Sequence, residues 1–432
     1  MSSRFSSLAL CLIAALGCSV RAADAPAPAA APSAVPVTVT LESLVAASLA
    51  DNPELHFYEA EITAAQAARQ TAALLPPPEV SGSVGQKRSQ DPIGRLTGEG
   101  VAWSVGVSQT FEWPGRLGLR KTIANGDLTL ARLGLDRFRT ALAARVRGQA
   151  LALTGAAEKA RVAREVADRF RALRDVLVQR DPAGITPQLE IRILEATELS
   201  LRRRASEAEL AEQGAHLELN QLLGRPADSA LSVATAEPVL PPARSLAECL
   251  AAAQTNSFDL RLRAAELEQQ GFRVALAKNE RWPAFTVGPQ FSVENSDGRD
   301  RILGVGISFP LPLWRNNTAH IESARARQLQ AETLLKVAQR EVERRVTAAA
   351  RAYGTRLAEM ANWRADSVRQ FAESAELADR HYRLGALPAT VYVELQKQYL
   401  DAVEALLDTR REAVAAAAEL EELTGLNLLT RP

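Results

Sequence analysis

Cysteine is nearly missing from this 432-residue chain, which has 3, and Cys11 and Cys18 both lie near the N-terminus. Cys249 is then a single thiol, so no internal disulfide and no cysteine metal cluster can form. Histidine is as thin: His56, His216, His320 and His381 are dispersed, with no pair at helical ligand spacing, so no metal site is expected. Met360 is the only internal methionine, which excludes a thioether ladder for soft copper ions. Neither sign of charge is in surplus, with 51 Lys plus Arg against 51 Asp plus Glu. A nucleic-acid partner, whose phosphates require displaced counterions, loses its simplest support. The chain also lacks a Gly-rich phosphate cradle with its lysine and a nucleophile elbow, so no catalytic residue and no cofactor are expected. Beyond the N-terminus no apolar run reaches the roughly 18 to 20 residues of a spanning helix. Entry into a membrane would require a β-barrel. Aromatics make up only 5% of the chain, and alanine is abundant, which favours long helices packed at close range.

The first residues have the parts of a secretory signal. Arg4 supplies the charge, Leu8 to Leu16 the apolar core, and Val20-Arg21-Ala22 a small-residue cleavage site. Leu16-Gly17-Cys18 offers a second reading, an acylated cysteine. Residues 1–22 are assigned to the signal peptide and 23–37 to an Ala/Pro tether.

Two further segments repeat one another, residues 38–230 and 231–432. The clearest duplicated element is a strand. Trp103, Val105 and Val107 alternate with Ser104, Gly106 and Ser108, and Leu303, Val305, Ile307 and Phe309 alternate with Gly304, Gly306, Ser308 and Pro310. The apolar set suits lipid and the small polar set an aqueous lumen, although a half-buried sheet in water has the same period. A weaker strand over Val80 to Lys87 precedes the first, with a loop from Arg88 to Gly100. Phe285 to Val293 precedes the second, with a charged loop from Glu294 to Arg301. Pro289 belongs at an edge or a bulge.

Helical period fills the remainder. A helical segment from about Thr40 to Leu75, broken at Asn52-Pro53, has its counterpart at Ser245 to Asn256 and beyond. Long helical stretches are expected from about Leu117 to Gln179 and from about Thr318 to His381, each turning at a tip. Asp181, Gly184 and Pro187 mark the first tip, and Arg383, Leu384, Gly385 and Pro388 the second. The returning helices stop at Gly224 and Gly425.

Four strands of barrel length cannot close, because small barrels begin at eight, and an open edge in lipid leaves peptide groups unpaired. The chain is therefore expected to self-associate, a dimer supplying eight strands and a trimer twelve.

The duplicated strand pairs, Tyr382-Arg383-Leu384-Gly385 at the tip, and Leu423-Thr424-Gly425 near the end together resemble the TolC family of bacterial outer-membrane efflux ducts, over nearly the whole mature chain. Phe111-Glu112-Trp113-Pro114-Gly115-Arg116 and Pro310-Leu311-Pro312-Leu313-Trp314 look most like its heavy-metal, CzcC-like branch. The resemblance implies a mainly α fold with a small β part: a homotrimer whose four strands per chain make a twelve-stranded barrel in outer-membrane lipid, continued by a periplasmic tunnel of helical hairpins. It implies docking of the tips to a periplasmic adaptor protein, coupled to an inner-membrane proton-driven pump, and passive exit of divalent heavy-metal cations. Tyr382 and Glu394 match positions near the family's periplasmic constriction, while the arginine often found between them is Leu387 here and a second acidic position is Val391. The same duct exporting organic drugs or secreted protein, and a periplasmic coiled-coil scaffold, are the alternatives.

Overall fold

In the computed structural model, which describes residues 38–180, 187–233, 240–311, 317–363, 367–426 and 428, the two repeats follow one plan. The signal peptide, the tether, Cys18, Asp181, Gly184 and the Pro312-Leu313-Trp314 motif lie outside the described residues.

Strand β1 (Thr38–Val39) leads into α1 (Leu41–Asp51), whose N-cap Thr40 accepts the Ser43 N–H at 3.4 Å. Pro53 disfavours a helical residue before it, so Asn52 turns extended and α2 (Glu54–Ala72) starts anew. Strands β2 (Glu79–Gln90) and β3 (Leu96–Phe111) form a hairpin. Gly115, at φ 86°, turns the chain into α3 (Arg116–Arg180), and α4 (Pro187–Leu222) returns alongside it. The 65 residues of α3 span about 97 Å. Strand β4 (Ser232–Val233) pairs in parallel with β1. This small sheet joins the starts of the two repeats, and no strand is expected there from the sequence.

The second repeat has α5 (Leu246–Asn256), capped by Ser245, then α6 (Phe258–Asn279), β5 (Phe285–Asn295) and β6 (Arg299–Ser308). After α7 (Thr318–Asn362) and α8 (Ser367–Arg383), α9 (Ala389–Thr424) ends at Gly425, φ 65°. The expected single helix over 318–381 is thus divided. Trp363 leaves the helical region at ψ 109°, and its N–H tightens onto the Met360 carbonyl at 3.1 Å. No Gly or Pro marks this break; Asn362 and Ser367, residues that favour helix ends, flank it.

The expected loops are shorter than the sequence suggests. Strands β2 and β3 run through Arg88 to Gly100, leaving a turn in which Asp91 Oδ1 accepts the N–H groups of Ile93 (3.0 Å) and Arg95 (2.7 Å). Glu294 to Arg301 likewise belongs mostly to β5 and β6. Ladder hydrogen bonds do not require apolar side chains, so polar strand ends resemble loops in sequence.

The core runs along the helices in three parts. Leu44, Leu142, Val146 and Leu219 pack α1, α3 and α4. Cys249, Val346, Tyr353 and Leu420 pack α5, α7 and α9. Phe170, Leu194, Tyr392 and Leu400 join the two hairpins.

Candidate membrane-spanning sheet and hairpin tip

The four long strands make one antiparallel sheet in the order β2-β3-β5-β6, the two hairpins joined through β3 and β5. Directly opposed residues in a ladder share a face, so the register fixes which side each residue takes. Val84, Trp103, Val293 and Arg301 form one row; Gly82, Val105, Phe291 and Leu303 the next; Val80 and Val107, then Pro289 and Val305, lie below. Apart from Arg301 at the turn end, these rows carry no charge across the four strands, and Phe291 meets Trp103 edge-on at 5.8 Å. Val84 (82% exposed), Leu303 (80%) and Val305 (70%) have no cover, and Val105, Val107, Ile307 and Phe309 are exposed as well. Ten residue steps from Val101 to Phe111, tilted as in a barrel, give a height of about 26 Å, near the apolar band of about 25 Å in outer-membrane barrels. At the helix end Phe111 stacks on Phe285 and Trp113 on Trp282 (centroids 5.2 Å, 14°), the aromatic border such a band has.

The reverse face is small and polar. Ser83 shares a hydrogen bond with Ser104 (2.8 Å) and Thr110 with Thr286 (3.0 Å), amid Gly85, Ala102, Gly106, Ser292, Gly304 and Gly306. Pro289 corrects an expectation, because β5 is an inner strand. The β3 ladder is interrupted at Pro289 and Gly288, where a Cβ on Gly288 would lie 2.2 Å from the Val107 carbonyl. Proline's missing donor is therefore accommodated by a local break. Strands β2 and β6 each have one neighbour among the described residues, and their outer edges are unpaired.

Beneath the sheet sits a buried polar knot that the sequence reading overlooks. Glu112 accepts from Arg116 Nη1 (2.7 Å) and Arg120 Nη1 (2.8 Å). Arg116 also donates to Asn279 Oδ1 (3.1 Å) and to the Trp282 carbonyl (2.5 Å), while the Asn279 amide donates to the Pro114 carbonyl (3.0 Å). Burial works against the Glu112 charge, but the hydrogen bonds and charges of Arg116 and Arg120 outweigh it and hold the carboxyl below its ordinary range. The Glu112-Trp113-Pro114-Gly115-Arg116 motif thus locks the end of β3 to the entry of β5. A signal was available: Glu112 and Arg116 stand at i,i+4 beside a glycine and a proline.

At the second hairpin tip Gly385 (φ 72°) closes α8, with Ala386 N–H on the His381 carbonyl and Gly385 N–H on that of Tyr382, both 2.9 Å. Leu384 is largely exposed, Arg383 donates to Asp379 at 2.9 Å, and Pro388 is the N-cap of α9. Pro187, of the other tip, is the first residue of α4. Tyr382 is 8% exposed and stacks on Tyr392 at 5.0 Å, which in turn leans on Phe170. Burial, with help from Asp379, pushes the Tyr392 hydroxyl pKa upward. Glu394 faces solvent and accepts from Gln398 at 3.0 Å. The two expected constriction residues are thus separated within the protomer, Tyr382 inside the hairpin and Glu394 outside.

Among the described residues no cluster of His, Cys, Asp and Glu is arranged to hold a metal ion, and no helix is long and apolar enough to cross a membrane.

Residues 249–426 match the outer membrane efflux protein family. That segment covers most of the second repeat. No curated protein matches the chain in sequence. Among solved structures, the Campylobacter jejuni CmeC outer membrane channel is 16% identical, over 89% of this chain and 85% of that one, with a TM-score of 0.73. A membrane protein from Pseudomonas aeruginosa is 20% identical over 92% and 95%, TM-score 0.74. The open state of the Neisseria gonorrhoeae MtrE outer membrane channel is 17% identical over 90% and 89%, TM-score 0.69. At these identities the likeness establishes a shared fold, mostly helical with one small antiparallel sheet.

Proposed function

We propose that the chain is the outer-membrane exit duct of a tripartite efflux system. The observation that carries this reading is the four-stranded sheet, apolar on one face, polar on the other, and unpaired at both edges. Because neighbouring strands alternate in direction, β6 of one copy can continue antiparallel into β2 of the next. Three copies make a closed ring of twelve strands, and closure pairs the two outer edges that each protomer leaves open, which lipid would not satisfy. The helices all leave from the end opposite the strand turns and continue the ring as a periplasmic tunnel. Exposed Leu384 with Arg383 and Pro388 forms an adaptor docking tip, Asp181, Gly184 and Pro187 mark the other, and the pump lies in the inner membrane. Three Glu394 carboxylates near the tip constriction favour cations.

The cargo is divalent heavy-metal cations, a reading supported by the likeness of the Phe111–Arg116 motif to the metal-efflux branch. Purified protein in mild detergent is expected to be trimeric and to conduct ions across a planar bilayer. A monodisperse monomer without conductance would remove the duct. A deletion strain sensitive to antibiotics but not to metals would move the cargo to organic compounds.

A further inference from the structure

The polar face of the sheet carries few charges, and three of its four charged residues are gathered at one end. Lys87 on β2, Glu294 on β5 and Asp300 on β6 meet next to the strand turns, while Glu79, the other charged residue on this face, lies at the helix end. Glu294 and Asp300 are direct cross-strand partners, an arrangement of like charges that disfavours the pairing. Lys87 reaches across β3 where Gly100 offers no side chain, and donates to Glu294 at 2.7 Å while staying 3.8 Å from Asp300. One lysine therefore stands between two carboxylates. Asp300 stays 67% exposed, directed to the aqueous side.

Resting on the duct reading above, we propose that Lys87, Glu294 and Asp300 form a cation-preferring ring at the outer mouth of the pore. Each protomer contributes a net charge of minus one, and three copies encircle the lumen. Twelve strands tilted as in a barrel give a backbone radius of about 12 Å. The Debye length is about 10 Å at 0.1 M salt and about 3 Å at 1 M. The ring's field reaches the pore axis at low salt and is screened at high salt, so the preference is strong in the first and weak in the second.

The test is the reversal potential of the full-length protein in planar bilayers under a KCl gradient centred near 0.1 M. The wild type is expected to favour K+ over Cl− several-fold. Asp300→Asn removes one carboxylate per protomer and makes the ring neutral, so its preference should fall severalfold toward that of an uncharged mouth. Lys87→Gln removes the compensating charge and should raise the preference above wild type. Opposite movements of the two variants are the signature, because a lysine that merely stapled the strands would not produce them. Three conducting proteins with the same reversal potential would overturn the ring and leave the duct standing. Absence of conductance from all three, the wild type included, would overturn both.

Discussion

The side-chain amide of Asn256 donates to the carbonyl of Thr424 at 2.9 Å, joining the end of α5 to the end of α9 across the second repeat. Asn52 does the same for Leu222 at 3.0 Å in the first repeat, one residue further along, as the C-cap of α1. Each asparagine satisfies a last-turn carbonyl that a helix leaves without a partner. Asn52→Ala is expected to destabilise by about 1–3 kcal/mol, the range for an abandoned buried acceptor, and Asn256→Ala by less, because Asn256 is itself exposed and water can replace it. Denaturation in detergent checks this, and unchanged midpoints would remove the asparagines from the account.

Gly224 lies at φ 66°, and a Cβ there would sit 2.5 Å from the Asp51 carbonyl oxygen. Gly385 has a similar φ of 72° but open space around it. Alanine at Gly385 should therefore cost about 1 kcal/mol from the left-handed backbone alone. Gly224→Ala should cost distinctly more, since backbone must move as well. Equal losses in thermal midpoint would contradict the steric reading.

Tyr392 is fully buried between Tyr382 and Phe170. Removing its ring in Tyr392→Ala is expected to cost about 3–5 kcal/mol through the cavity left behind. Tyr392→Phe keeps the packing and loses only a long hydrogen bond, 3.4 Å to Asp379, so it should stay near wild type. Denaturation midpoints of the pair separate packing from polarity at the tip.

Glu112 binds its proton more weakly in the fold than in the unfolded chain, because Arg116 and Arg120 favour its charge over the cost of burial. Its contribution is fully present above the ordinary carboxylate pKa and is lost as pH falls through the depressed folded value. Glu112→Gln should accordingly be less stable than wild type at neutral pH, with the gap narrowing under acid. A gap independent of pH from 7 down to about 3 would show that Glu112 acts by shape alone.

Val305 is on the apolar face, and under the proposed duct an arginine there would meet lipid at a cost of about 2–4 kcal/mol near the bilayer midplane. Val305→Arg should reduce assembled protein in the outer-membrane fraction. Gly304→Ser, on the opposite face with nothing near the new Cβ, should assemble normally. Equal assembly of the two would reverse the assignment of faces.

Residue spacing alone carried the alternation of β3 and β6 and the helical period of the long α3. An alternation of two and a spacing of three and four are local properties that burial against any partner enforces. Trp103 could be set on the side of Val105, and Leu303 on that of Val305, before any fold was known, because order along a strand fixes which residues share a side. That both pairs share one face of the sheet came from the ladder register. Tertiary structure decided what depends on meetings across the chain. These include the β3·β5 join that makes Pro289 an inner residue and the Arg116–Asn279 knot between the repeats. They also include the burial of Tyr382 against Tyr392 and the meeting of Lys87 with Glu294. Such pairs lie up to 207 residues apart, and one sequence carries no periodic signal at that distance.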